Sequence, residues 1–137
     1  MQDVNEDKMM TLDEVRERFS HDRFATVNGA VVEEVDDGYA RCSMELNETH
    51  RNALGAVMGG AIFTLADFAF AVASNWNKNP QVSLNASISF LGKAKGTKLI
   101  AQAQKVKEGR KTCYYEVAVS DELGIQVAHM TSNGFAV

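Results

Sequence analysis

Between Gly59 and Asn75 the chain carries a single charged side chain, Asp67. The rest of that stretch is apolar nearly all round: Ala61, Ile62, Phe63, Leu65, Ala66, Phe68, Ala69, Phe70, Ala71 and Val72. A helix apolar on every side is buried on every side, so the rest of the chain must wrap it. A membrane span is the competing use of such a segment. A carboxylate near mid-span is costly in lipid, and the alanines and glycines of Ala53 to Ala73 give little transfer energy. The segment therefore reads as a buried core helix. The N-terminus, Met1 to Asp7, is polar and acidic rather than basic and then apolar, so it does not resemble a secretory leader. A cytoplasmic protein without a membrane partner is expected.

The wrapping material flanks the helix. Before it, Ala30–Val35 and Tyr39–Leu46 alternate with period two and are joined by the turn signal Asp36-Asp37-Gly38. After it, Gln81–Leu91, Lys98–Lys107, Lys111–Ser120 and Gly124–Phe135 read as four more strands. Gly109-Arg110 and Asp121 to Gly124 supply short turns, which force antiparallel neighbours. Thr11 with Glu14 forms a capping-box pattern. Leu12, Val15 and Phe19 then follow at helical spacing, giving a short helix that ends near Ser20. The expected fold class is α+β, an antiparallel sheet wrapped around one long central helix. Its 137 residues fit one domain: residues 1–20 form a tail and short helix, and 21–137 the single folded unit.

A net charge of −4 leaves no overall basic field to hold nucleic acid. The charge is unevenly placed, however. Of 14 Lys and Arg, seven lie from Lys93 to Lys111, opposed there only by Glu108. Such a run suits a small polyanion, or is simply a pair of solvated strand faces. Cys42 and Cys113 lack CxxC spacing, and His21, His50 and His129 are far apart. No metal site is expected.

Asp67 admits three readings: a structural group facing a polar gap, the partner of a distant cation, or a functional carboxylate tuned by its surroundings. The helix start bears on the choice. Gly59-Gly60 places two glycines at its first turn, where backbone amides lack partners and the dipole favours negative charge. Glycine lets a ligand approach the backbone closely. Such amides make a ready oxyanion hole for a carbonyl turning tetrahedral. Asp67 lies eight residues after Gly59, roughly 12 Å along the axis at about 1.5 Å per residue. One carbonyl does not span that distance, so a site using both groups would draw them from two subunits.

The run His50-Arg51-Asn52-Ala53-Leu54-Gly55-Ala56-Val57-Met58-Gly59-Gly60, continuing through Ile62-Phe63-Thr64-Leu65-Ala66 to Asp67, resembles the signature of the PaaI-like hotdog-fold acyl-CoA thioesterases. Ser87 to Leu91, Gly109-Arg110 and Asp121 to Gly124 extend the likeness over about residues 25–137. The resemblance implies a hotdog fold and hydrolysis of acyl-CoA. Asp67 would be general base or nucleophile. The Gly59 amide, helped by Gly60, would bind the thioester oxygen. Asn52 would orient the thioester or the attacking group, and Ser83 would help place water. Gly109, Arg110, Lys111 and Lys93 would contact the CoA phosphates. The chain would be a homo-oligomer, a dimer or a dimer of dimers (homotetramer). It would carry no cofactor, since CoA is part of the substrate. Phe63, Phe68 and Phe70 would partly line the acyl pocket, with core packing the main job of most of them. Two positions depart from the family pattern. Met58 stands where a histidine usually precedes the glycine pair, and Gly92-Lys93 replaces an Arg-Pro pair. The Met58 change keeps open a non-catalytic acyl-CoA-binding module. A hotdog dehydratase or hydratase ranks last, because no histidine stands at the helix start.

Overall fold

A computed structural model describes residues 10–76 and 80–137. The expected tail from Met1 lies outside those residues, apart from Met10. Helix α1 spans Leu12–Phe19 with the capping box in place: Thr11 Oγ1 accepts from Glu14 N, and Glu14 Oε1 accepts from Thr11 N. Val15 and Phe19 on its inner face are buried in the common core. A second short helix, α2, spans Arg23–Val27. The sequence showed no element there, because five residues are too few to display a 3.6-residue period.

The strands are β1 (Ala30–Asp36), β2 (Tyr39–Glu45), β3 (Gln81–Phe90), β4 (Lys98–Glu108), β5 (Thr112–Asp121) and β6 (Gln126–Ala136), and the long helix α3 is Gly59–Asn75. All six strands join one antiparallel sheet in the order β1-β2-β4-β5-β6-β3. The α+β arrangement read from the sequence is the arrangement observed.

The sheet's inner face explains how the helix fits. Ala40, Cys42 and Met44 of β2 and Leu99, Ala101 and Ala103 of β4 are fully buried beneath it. Small side chains there let α3 lie close across β2 and β4. Trp76 closes the far end of the core, its indole N–H donating to the Asp36 carbonyl at 2.9 Å. Among the described residues no helix is long and apolar enough to cross a membrane.

The wrapping of α3 is incomplete. Ile62, Leu65, Ala66, Phe68, Ala69, Phe70, Val72 and Ala73 are buried, but Gly60, Phe63, Thr64, Asp67 and Ala71 remain exposed or half-buried. Those five recur at helical spacing and form one stripe. The sequence pattern called for burial on all sides; the described residues of one chain leave this stripe only partly covered.

Candidate active site

The loop before α3 is built to present the helix start. Asn52 and Ala56 close it through Asn52 N–H to the Ala56 carbonyl at 2.8 Å. The Asn52 side-chain oxygen accepts from Leu54 N at 2.9 Å and Ala56 N at 3.1 Å. Gly55 turns the chain at φ +85°, a conformation that favours glycine. Asn52, expected to orient the thioester, thus spends its oxygen on its own loop.

His50 anchors the same loop from inside. It is 2% exposed. Its Nδ1 accepts from Asn47 N at 3.0 Å, and its Nε2 lies 2.6 Å from the Asn28 carbonyl. With Nδ1 accepting, Nε2 carries the proton and donates. His50 is therefore a structural pin.

Met58 is the N-cap of α3 and offers no side-chain cap. The first-turn backbone bonds begin at Ala61 N, which donates to the Met58 carbonyl at 3.0 Å. The amides of Gly59 and Gly60 precede any intrahelical acceptor. Gly59 is tightly placed: a Cβ there would stand 3.0 Å from Phe90 Cζ, at the end of β3.

Asp67 sits two turns further along, half-buried on the uncovered stripe. Among the described residues it makes no hydrogen bond or ion pair, so the reading that it pairs with a distant cation finds no partner there. It lines a cavity of about 450 Å³ with Asp22, Arg23 and Phe24 from α2 and its approach, and with Phe63 and Thr64. Burial raises its pKa above the ordinary carboxylate value, and the charge of Asp22 raises it further. A second cavity of about 340 Å³ adjoins through Phe24, Phe63 and Thr64 and reaches Met44, Met58 and Gly60. Of the phenylalanines expected around an acyl group, Phe63 lines both cavities and Phe68 borders the first. Phe70 is instead a core residue, edge-on to Tyr115 with ring centroids 5.5 Å apart.

Ser83 lies on β3, 3.3 Å from the Ser132 hydroxyl. Gln81 N–H donates to Asn75 Oδ1 at the C-terminal end of α3, while Phe90 lies over Gly59 at the other end. β3 therefore runs antiparallel to the helix, with Ser83 toward the end away from Gly59.

The basic run does not form one patch. Lys93, Lys95 and Lys98 lie where β4 begins, and Lys107, Gly109, Arg110 and Lys111 lie beyond or near its end. Ten residue steps of about 3.3 Å separate Lys98 from Glu108, roughly 33 Å. The first group is held by carboxylates. Asp121, 1% exposed, accepts from Lys95 N, Gly96 N, Leu123 N and Ile125 N at 2.9–3.0 Å. Burial alone would raise its pKa; those four donors outweigh it and hold the carboxyl below the usual range. Glu122 accepts from Thr97 N and Lys98 N beside it.

Comparison with known proteins gives the family of the chain. Residues 19–135 match a family model described as a domain of unknown function, DUF4442. Acyl-coenzyme A thioesterase PaaI of Escherichia coli is 30% identical over 105 residues, 76% of this chain and 75% of that protein. The chain belongs to the PaaI-like hotdog thioesterase family. The solved E. coli PaaI structure superposes with a TM-score of 0.81 over 93% of this chain and 96% of that one, at 25% identity. A protein of Archaeoglobus fulgidus named as an inferred esterase is 34% identical over 80% of this chain and 72% of its own length. A Streptococcus mutans protein solved with acetyl CoA bound has a TM-score of 0.75 at 27% identity, covering 80% of this chain and 89% of that one. The cavity-lining carboxylate that sequence reading missed is Asp22. Its only signal was an Asp placed to begin a helix too short to be seen.

Proposed function

We propose that the protein hydrolyses acyl-CoA thioesters to a free acid and CoA, at a site drawn from two copies of the chain. One observation carries this reading. α3 holds a single carboxylate, Asp67, on a stripe that the described residues of its own chain leave only partly covered, about 12 Å along the helix from the uncapped amides of Gly59 and Gly60. One copy supplies the amides, the other the carboxylate. Asp67 takes a proton from water as its oxygen attacks the thioester carbon, or attacks directly to give, once the thiolate has left, a mixed anhydride that water hydrolyses to the free acid and the free carboxylate. The carbonyl oxygen becomes an oxyanion facing the Gly59 amide, helped by Gly60. The C–S bond then breaks, and CoA leaves as thiolate. A thioester has a better leaving group than an amide, so a carboxylate and an oxyanion hole suffice without an imidazole at Met58.

The second copy has a place to dock. β3 ends the sheet with no strand on its outer side among the described residues. It exposes Val82, Leu84 and Phe90, with Leu91 beside them. An unpaired apolar edge is a template for another strand. At the opposite end of the sheet, the Arg16 guanidinium donates to the β1 carbonyl of Val32 at 2.7 Å and blunts that edge. Two copies joined through β3 continue the sheet and cover the α3 stripe.

Gly109, Arg110 and Lys111 are assigned to the nucleotide phosphates. Lys93, at the other end of β4, reaches the same nucleotide only from the other subunit. Asn52 contributes through its amide nitrogen, which makes no hydrogen bond among the described residues, and Ser83 through its hydroxyl. The S. mutans complex with acetyl CoA supports CoA as the common ligand.

The test is thiol release from an acyl-CoA panel by wild type and Asp67→Asn. Turnover by the wild type, with a loss of about 10²–10⁴ in the variant, matches removal of a general base. Binding of CoA thioesters without thiol release by the wild type would show the binding module instead.

A further inference from the structure

Asp22 is a second carboxylate in the cavity of Asp67. It stands at the N-cap position of α2, where an Asp ordinarily spends its side chain on capping, yet it makes no capping hydrogen bond. Its backbone is held on both sides. Asp22 N–H donates to the Phe19 carbonyl at 3.0 Å, and its own carbonyl accepts from Thr26 N at 3.0 Å and Thr26 Oγ1 at 3.1 Å. The edge-on contact of Phe19 with Phe68, ring centroids 6.4 Å apart, fixes this segment against α3. The carboxyl group is thus positioned by its main chain and not used by it.

We propose that Asp22 is a positioning residue for the reaction: its carboxylate, set in the same cavity as Asp67, makes Asp67 a stronger base. Two like charges in a partly dry cavity resist joint ionisation, so one holds its proton more tightly. Burial also raises the pKa of Asp22. Among the described residues the other ionisable group lining the cavity is Arg23, from the same short helix. α3 itself carries no second charge. A base that holds its proton more tightly abstracts one from water more readily, provided the pH keeps it ionised. The effect on catalysis rests on Asp67 being the reacting carboxylate; the electrostatic coupling does not.

Asp22→Asn tests both parts. Asparagine is an equally good N-cap, so the helix should survive, and thermal melting checks this. The Asp67 side-chain carboxyl is followed by carbon NMR across pH in the full-length protein and in the variant. The pH dependence of kcat/KM is measured in parallel with hexanoyl-CoA. The expected result is that Asp67 titrates at lower pH in Asp22→Asn and the acidic limb of kcat/KM moves the same way. An unchanged Asp67 titration overturns the coupling. A shifted titration with an unmoved acidic limb overturns the role in the reaction. A shifted titration in a protein that hydrolyses no thioester upholds the coupling while refuting the proposed activity, so the two failures are distinguishable.

Discussion

Gly59, at the first turn of α3, lies directly under the ring of Phe90 at the end of β3, with room for no side chain at its ordinary distance. The contact ties the amide proposed to receive the oxyanion to the strand proposed to carry the subunit contact. Proline is the informative replacement. Gly59 is the first helical residue, where proline is favoured. Met58 before it is already extended at φ −75° and ψ 147°, as a residue preceding proline requires. The added Cβ asks Phe90 to give by a few tenths of an ångström. Gly59→Pro should fold, keep its oligomeric state and lose about 10²–10³ in kcat, the effect of deleting one oxyanion donor. Steady-state kinetics beside a melting curve checks this.

Asp67 should cost stability while supplying activity. Its folded pKa is raised, so the folded state favours the protonated form. The stability this gives is full below the unfolded pKa and is lost as pH rises through the folded value. Asp67→Asn removes that loss. The variant should therefore melt higher than wild type at pH 7, and the difference should shrink as pH falls below about 4, the range of a free Asp. A variant that melts lower at pH 7 would show that Asp67 is a structural group.

Asp121 should behave in the opposite sense. Its folded pKa is lowered, so its contribution is present above the unfolded value and lost as pH falls through the folded one. Asp121→Asn should lower the melting temperature clearly at pH 7, and the gap from wild type should close as the pH falls below the usual carboxylate range. Proteolysis within residues 92–97 should also quicken, because Lys95 and Gly96 lose their anchor.

The two basic groups make separable predictions. Arg110→Gln with Lys111→Gln should raise KM for an acyl-CoA several-fold through lost phosphate contacts, with kcat little changed. The same pair should leave KM unaltered for an N-acetylcysteamine thioester, which lacks the nucleotide. Equal effects on both thioesters would remove these residues from the nucleotide site.

Much of this was legible in the sequence because it is periodic. The apolar α3 and the alternating strands announce their own partners, and the strand ends fall within one or two residues of the expected ones. Asp67 stood out as one charge in an apolar run, and the glycine pair by its position at a helix start. What was not legible depends on distance across the fold. Lys93 and Arg110 are close in number but lie at opposite ends of β4, because the strand between them is extended. Asp22 and Asp67 are far apart in number yet share a cavity, because a five-residue helix folds one toward the other. The uncovered stripe on α3 was hidden for the same reason: hydrophobicity states that a face must be buried, but not by which chain.

The central claim, one active site drawn from two subunits, is tested most directly by complementation. Asp67→Asn and Gly59→Pro chains are each inactive alone, then co-expressed so that mixed pairs form. In a two-fold pair, each mixed oligomer keeps one site with an intact Gly59 and an intact Asp67, so random mixing should restore roughly a quarter of wild-type activity. If each site belonged to one chain, every site in the mixture would be defective, and no activity above the separate variants would return.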